Sequence, residues 1–212
     1  KSFSAIGMIG RSYNVLVVNP KSQLKTVADI LRISREKPGS LTYASQGFGT
    51  SAHLAGELFK NLAGVDIVHV PYRGVAAGAM TDLITGRIDS MFNTTGSLLQ
   101  AVRSGQVRGL AQSTPKRSAL APELPTYAEA GIPGYGVTSW YGLFAPAKTP
   151  PDIIAKFHKD TVTALADPVI RQRLDQLGVN TIGSTPAELA AFLKSEMDKW
   201  GPLIKAAGIK AE

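Results

Sequence analysis

The chain has no cysteine, only three histidines and two tryptophans, and no long apolar run. Without cysteine there is no disulfide, no thiolate metal site and no thiol nucleophile, and the redox character of the compartment is left open. His53, His69 and His158 show no H-x-x-x-H spacing, so no zinc site is expected. Stretches such as NVLVVNP and YGLFAPA are far shorter than the roughly 20 residues of a membrane-spanning helix, and no charged-then-apolar leader is read at the start. No G-K-[ST] follows a glycine turn, so no lysine is placed to reach a terminal phosphate. No G-x-S-x-G surrounds Ser45 or Ser51, so a serine hydrolase is not supported. Acidic residues are few, 16 against 23 basic ones, but the resulting +7 is scattered. Only short clusters such as Lys116-Arg117 and Arg171 with Arg173 occur, which reads as a solvated basic surface rather than a nucleic-acid face.

What is present is enough for a real core: 212 residues, 44% of them hydrophobic, accommodate one large or two small α/β units. Apolar periodicity switches repeatedly between two and 3.6. Strands are read at 14–18, 41–45, 66–70, IDSMFN and VRGLAQS, with helices at 26–37, 50–63, AAGAMTDLITG and SLLQAVRSG between them. This alternation predicts a mainly parallel sheet covered on both faces. Ser118 to Gly136 is rich in Pro and Gly and reads as a long loop around a short helix, after which TSWYGLFAP resumes as a strand. From Pro150 onward three helices are expected, with Thr149-Pro150, Asp167-Pro168 and Thr185-Pro186 as cap-and-proline starts.

One turn stands out, in LTYASQGFGTSAHLAGELF at 41–59. Gly47-Phe-Gly-Thr-Ser-Ala52 fits G-x-G-x-x-G/A between a strand and a helix, with Asp66 about 20 residues on. A nucleotide- or dinucleotide-binding enzyme is therefore the alternative reading. Against it, Asp66 opens its strand, whereas a ribose-binding acid belongs at a strand's far end. The remaining options are a small carboxylate on the amides and hydroxyls of Gly49, Thr50 and Ser51, or a Thr50 or Ser51 that only caps the helix. PYRGVAAG (71–78) and FNTTGS (92–97) also follow strands and open helices. In an open parallel sheet all three turns share the rim at the strands' carboxyl ends. That rim offers Ser, Thr, Asn, backbone amides and Arg73, without an obvious general base. Taken singly, Arg73, Tyr72, Asn93, His53 and Trp140 each have an ordinary structural reading as surface charge, core ring or helix-entry residue.

Several long motifs occur together in order: YASQGFGTSAHLAGELFKNLAGVDIVHVPYRG, LITGRIDSMFN, AQSTPKRSALAPELPTYAEAGIPGY, TSWYGLFAPAKTP and KWGPLIKAAGIK. Over essentially the whole chain they resemble the Bug family, extracytoplasmic solute receptors of tripartite tricarboxylate transporters. The resemblance implies a type II periplasmic binding-protein fold: two α/β domains joined by crossover strands, NVLVV and TSWYGLF, closing on a small carboxylate such as a di- or tricarboxylate, amino acid or aromatic acid. It implies a central lobe over 19–138 and a partial first domain from 1–18 and 139–212. It further implies a periplasmic, non-enzymatic receptor without cofactor or metal, partnered by membrane transporter subunits and not by nucleic acid.

The candidate ligand contacts are Ser45, Gln46, Gly47, Gly49, Thr50, Ser51, His53, Tyr72, Arg73, Gly74, Asn93, Ser139 and Trp140. Asn93 stands where the family often carries aspartate. Family members also begin with further βα elements, so the chain is expected to correspond to the C-terminal two-thirds of a receptor. On that reading it lacks the signal peptide and part of the first domain, binds solute weakly by itself, and exposes apolar surface that favours self-association.

Overall fold

The computed structural model describes residues 2–72 and 77–209. The chain divides into two compact units, residues 1–12 with 139–202 and residues 13–138 with 203–212. The sequence-based boundaries differ from these. The first break falls inside a strand, after Ser12 rather than Val18, and the segment after Pro202 groups with the larger unit.

The larger unit is built on a five-stranded arrangement in the order β3-β2-β4-β1-β5. β2 (Thr42–Ser45) runs parallel to both β3 (Val68–Pro71) and β4 (Ser90–Thr94). The second half of β1 (Phe3–Val18) runs antiparallel to β4 and to β5 (Arg108–Gln112). The sheet is therefore mixed rather than mainly parallel. The register Asn14↔Thr94 to Val18↔Ser90 brings β1 in at the end where β2, β3 and β4 finish, so it must run against them. Val15 to Val18 are each at most 1% exposed, as expected of a run apolar on both faces.

On one face Val15, Val17, Ala44 and Met91 pack with Leu83 of α3 (Ala77–Thr85) and with Leu98 and Leu99 of α4 (Thr95–Arg103). The other face is aromatic. Phe59 of α2 (Ser51–Ala63) meets Phe92 and Tyr127 edge-on, at ring separations of 5.8 and 6.3 Å. Tyr43 lies so close to α2 that a Cβ on Gly56 would come 2.1 Å from its ring. α1 (Val27–Glu36) starts at a complete capping box, Thr26 accepting from Asp29 N–H while Asp29 accepts from Thr26 N–H.

The stretch 118–136 contains turns but no helix. It is held instead by Gln112, whose Nε2 donates to the carbonyls of Ala121 and Leu124 at 2.8 and 2.7 Å and whose Oε1 accepts from Ser118 N–H at 3.1 Å. Tyr127 and Tyr135 stack within it at 3.8 Å, and the Tyr135 hydroxyl donates to the Ala55 carbonyl.

In the smaller unit the first half of β1 pairs with β6 (Thr138–Pro146) and with β7 (Val179–Thr181), a short strand the sequence did not reveal. Three helices follow β6: α5 (Pro151–Ala166), α6 (Pro168–Gln176) and α7 (Pro186–Ala206). Asp167 caps α6 by accepting from the N–H groups of Val169 and Ile170. Thr185 and Glu188 form a capping box at α7. The first start differs from expectation. Pro150, not Thr149, is the N-cap of α5, and it makes no side-chain cap bond. No helix among the described residues is long and apolar enough to cross a membrane.

Candidate functional site

The parallel registers of β2 with β3 and β4 place their carboxyl ends side by side, so Ser45, Pro71 and Thr94 end on one rim. Two bonds tie that rim together. Gln46 Nε2 donates to Asn93 Oδ1 at 2.7 Å, and Tyr72 N–H donates to the Ser45 carbonyl at 2.9 Å. Asn93 is buried, and its Oδ1 accepts a second bond from Thr94 N–H at 2.8 Å. The Tyr72 hydroxyl donates to Asp82 at 2.6 Å, and burial together with that bond pushes its pKa up to about 12. Arg73 and Gly74 lie outside the described residues.

The glycine turn uses its own groups closely. Gly47 and Gly49 have φ of 125° and 72°, which side chains rarely adopt, and a Cβ on either would meet nothing within 4 Å. Backbone conformation, not space, requires glycine at both positions. Thr50 is the N-cap of α2, accepting from His53 N–H at 3.3 Å while its hydroxyl donates to the Gly47 carbonyl at 2.8 Å. Gly47 N–H donates to Ser45 Oγ and Gly49 N–H to His53 Nδ1, both at 3.1 Å. The capping role weighed for Thr50 is thus present in the fold. An anion docking here would have to take the Gly49 N–H from His53 and the Thr50 hydroxyl from Gly47. Ser51 is the first residue of α2, in its first turn beside these groups.

Behind the turn lies a ring cluster. His53 and His69 stack at 4.0 Å with planes 12° apart, Tyr43 stacks on the far side of His69 at 4.9 Å, and Phe48 meets both imidazoles edge-on. Ser45 Oγ lies 2.6 Å from His69 Nε2. The Tyr43 hydroxyl donates to Glu57 at 2.8 Å, and Lys60 Nζ sits 3.2 Å from the same carboxylate. Burial pushes the His53 pKa below its ordinary value. Burial, then the neighbouring His53, pushes His69 down to about 4. Phe48, His53, Glu57, Lys60 and His69 line a cavity of about 400 Å³ with Ala207, Gly208 and Ile209. Among the described residues no group of three His, Cys, Asp or Glu side chains could hold a metal.

Sequence reasoning placed His53 near the turn but did not bring out His69, Tyr43, Phe48 or Glu57. A pairwise signal was there. His53, Glu57 and Lys60 fall at i, i+4 and i+7 on one helix stripe. On β2, Tyr43 and Ser45 share a face, and Tyr43 is in register with His69. That last pairing needs the strand register, which no single segment supplies. Ser139 and Trp140 belong to the smaller unit, where the Trp140 ring packs edge-on to Phe192 at 5.7 Å and to Phe144 at 6.4 Å. Asp66 precedes β3, at the end away from the rim, and its carboxylate is 3.8 Å from Lys60 Nζ.

With this geometry in hand, comparison with known proteins gives a consistent result. The profile of the tripartite tricarboxylate transporter family receptor matches residues 1–209. A protein encoded in the tcbD-tcbE intergenic region of Pseudomonas sp. (strain P51) is 41% identical over 90% of this chain and 57% of its own. An R. palustris protein solved with adipate superposes with a TM-score of 0.86 at 32% identity, over 99% of this chain and 70% of its own. MatC from Rhodopseudomonas palustris, with bound malate, gives 0.83 at 28% identity, over 95% and 69%. The chain spans 57–63% of the length of the first three curated relatives it matches.

Proposed function

We propose, from the premise that this chain belongs to the tripartite tricarboxylate transporter receptor family, that it captures a small di- or tricarboxylate at the rim of the larger unit. It is a receptor component and not an enzyme. On this reading it works outside the cytoplasm and delivers its solute to membrane subunits of a tripartite tricarboxylate transporter. The observation that carries the reading is the convergence of the Ser45, Pro71 and Thr94 strand ends on one rim, where uncharged amides and hydroxyls gather and the Gln46 to Asn93 bond of 2.7 Å joins two of the ends. Neutral amides and hydroxyls at a helix start suit an anion that must be held and released rather than transformed. Two similar structures were solved with adipate and with malate, which supports the carboxylate class.

The ligand contacts proposed are Ser45, Gln46, Gly47, Gly49, Thr50, Ser51, His53, Tyr72 and Asn93, with Arg73 and Gly74 as further members. The exposed apolar helix faces of the smaller unit favour self-association.

Thermal denaturation with and without solute tests the proposal. A ligand with a Kd of about 1 mM, present at about 20 mM, stabilises the folded state by about 1.8 kcal/mol. Adipate, malate or citrate is expected to raise the Tm, and substitution of Thr50 and Ser51 to alanine to abolish the rise. Stabilisation by NAD or ATP with no response to any carboxylate would overturn it in favour of a nucleotide-binding turn.

A further inference from the structure

The two histidines behind the glycine turn each secure one of its amides. His53 Nδ1 accepts the Gly49 N–H directly, at 3.1 Å. His69 does so through Ser45, whose Oγ sits 2.6 Å from His69 Nε2 and accepts the Gly47 N–H at 3.1 Å. A backbone N–H can only donate, so His53 Nδ1 must carry a lone pair and the ring must be neutral with its proton on Nε2. We propose that His53 is a positioning residue of the glycine turn, and that proton uptake on its Nδ1 breaks the bond to Gly49 and opens the turn.

The surroundings make this a graded response rather than a fixed contact. His69 stacks on His53 at 4.0 Å, so two imidazolium rings would face each other across van der Waals distance. From α2, Glu57 favours and Lys60 opposes a positive charge on these rings. From β2, Tyr43 stacks on His69 and spends its hydroxyl on Glu57. Among the described residues, Phe48 and Ala207–Ile209 are the uncharged members of the lining.

Burial holds both histidines below the ordinary value, His69 at about 4. The folded state therefore binds fewer protons than the unfolded chain between about pH 6.5 and about pH 4. The stability contributed by the two neutral rings is fully present above about 6.5 and declines as pH falls below it, while the bond from Gly49 breaks at the lowered folded-state pKa of His53 itself. An acidic medium would loosen the very segment proposed above to dock solute. The functional meaning of the inference rests on that reading; its chemistry does not.

The test is nitrogen-15 NMR of the intact chain without solute, from about pH 7.5 to about pH 4.5. The expected result is an unprotonated His53 Nδ1 at the upper end, with the Gly49 amide shifting at the same midpoint as the His53 ring. In His53→Asn, a side-chain oxygen can occupy the acceptor position and does not titrate. Gly49 should then stay protected at neutral pH and lose its pH step. In His53→Ala, Gly49 amide exchange should rise about ten-fold or more, consistent with loss of one hydrogen bond. A Gly49 amide indifferent to the His53 titration, or a neutral-pH proton on Nδ1, would overturn the inference. Carboxylate-induced rises in Tm without this coupling would leave the receptor reading standing and remove only the positioning role. Coupling without any carboxylate response would do the reverse.

Discussion

α2 in the larger unit and α5 to α7 in the smaller one carry comparable apolar stripes, yet they end in different environments. α2 buries Ala52, His53, Ala55, Gly56 and Phe59 against the sheet. α5 buries only Leu165, α7 only Leu189, and α6 buries nothing. Phe157, Val169, Leu177 and Met197 remain 56–67% exposed. A stripe with a period of 3.6 declares that a helix has an inner face, but burial also requires something for that face to meet. The larger unit supplies it with a five-stranded sheet closed on both sides. The contrast teaches that capping and periodicity suffice to mark the helices of the smaller unit, while the described residues cover little of their apolar area.

Substitutions at matched aromatic positions should sharpen this contrast. Phe59→Ala removes a fully buried ring from the cluster with Phe92 and Tyr127. It should cost about 3–5 kcal/mol in denaturant unfolding. Gly56→Ala forces a methyl into the Tyr43 ring, which is itself 0% exposed and cannot easily retreat. A loss of about 1–3 kcal/mol is expected by the same measurement. Phe157→Ser, at 56% exposure on α5, should change stability by no more than about 0.5 kcal/mol. A large loss at Phe157 would break the comparison, because it would mean that the outer face of α5 is covered in solution.

The sequence made the βαβ rhythm and most helix starts legible because those features are local. Thr26, Thr50, Asp167 and Thr185 each cap the helix that follows, as their residue types and neighbours suggest. What it left hidden depends on pairing. The antiparallel course of β1 is decided by the register Asn14↔Thr94, and β7 is three residues whose only signal is their partner strand. Likewise the glycine turn was evident as a turn, but its hydrogen-bond acceptors were not. His53 was within sight of it in sequence, whereas His69 enters through the pairing of β3 with β2. The expected short helix within 118–136 failed for a related reason, since a side chain from β5 satisfies carbonyls that a helix would otherwise have paired.

That carboxamide has a consequence for how the larger unit comes apart. Gln112 acts as a buckle: remove its three bonds, as in Gln112→Leu, and the belt from Ser118 to Gly136 keeps its covalent ends but loses its fastening. Tyr127 and Tyr135 ride on that belt and hold to α2, one against the Phe59 ring and the other at the Ala55 carbonyl. Slack in one amide on the sheet would therefore surface first as water reaching the aromatic face, well before any strand had separated.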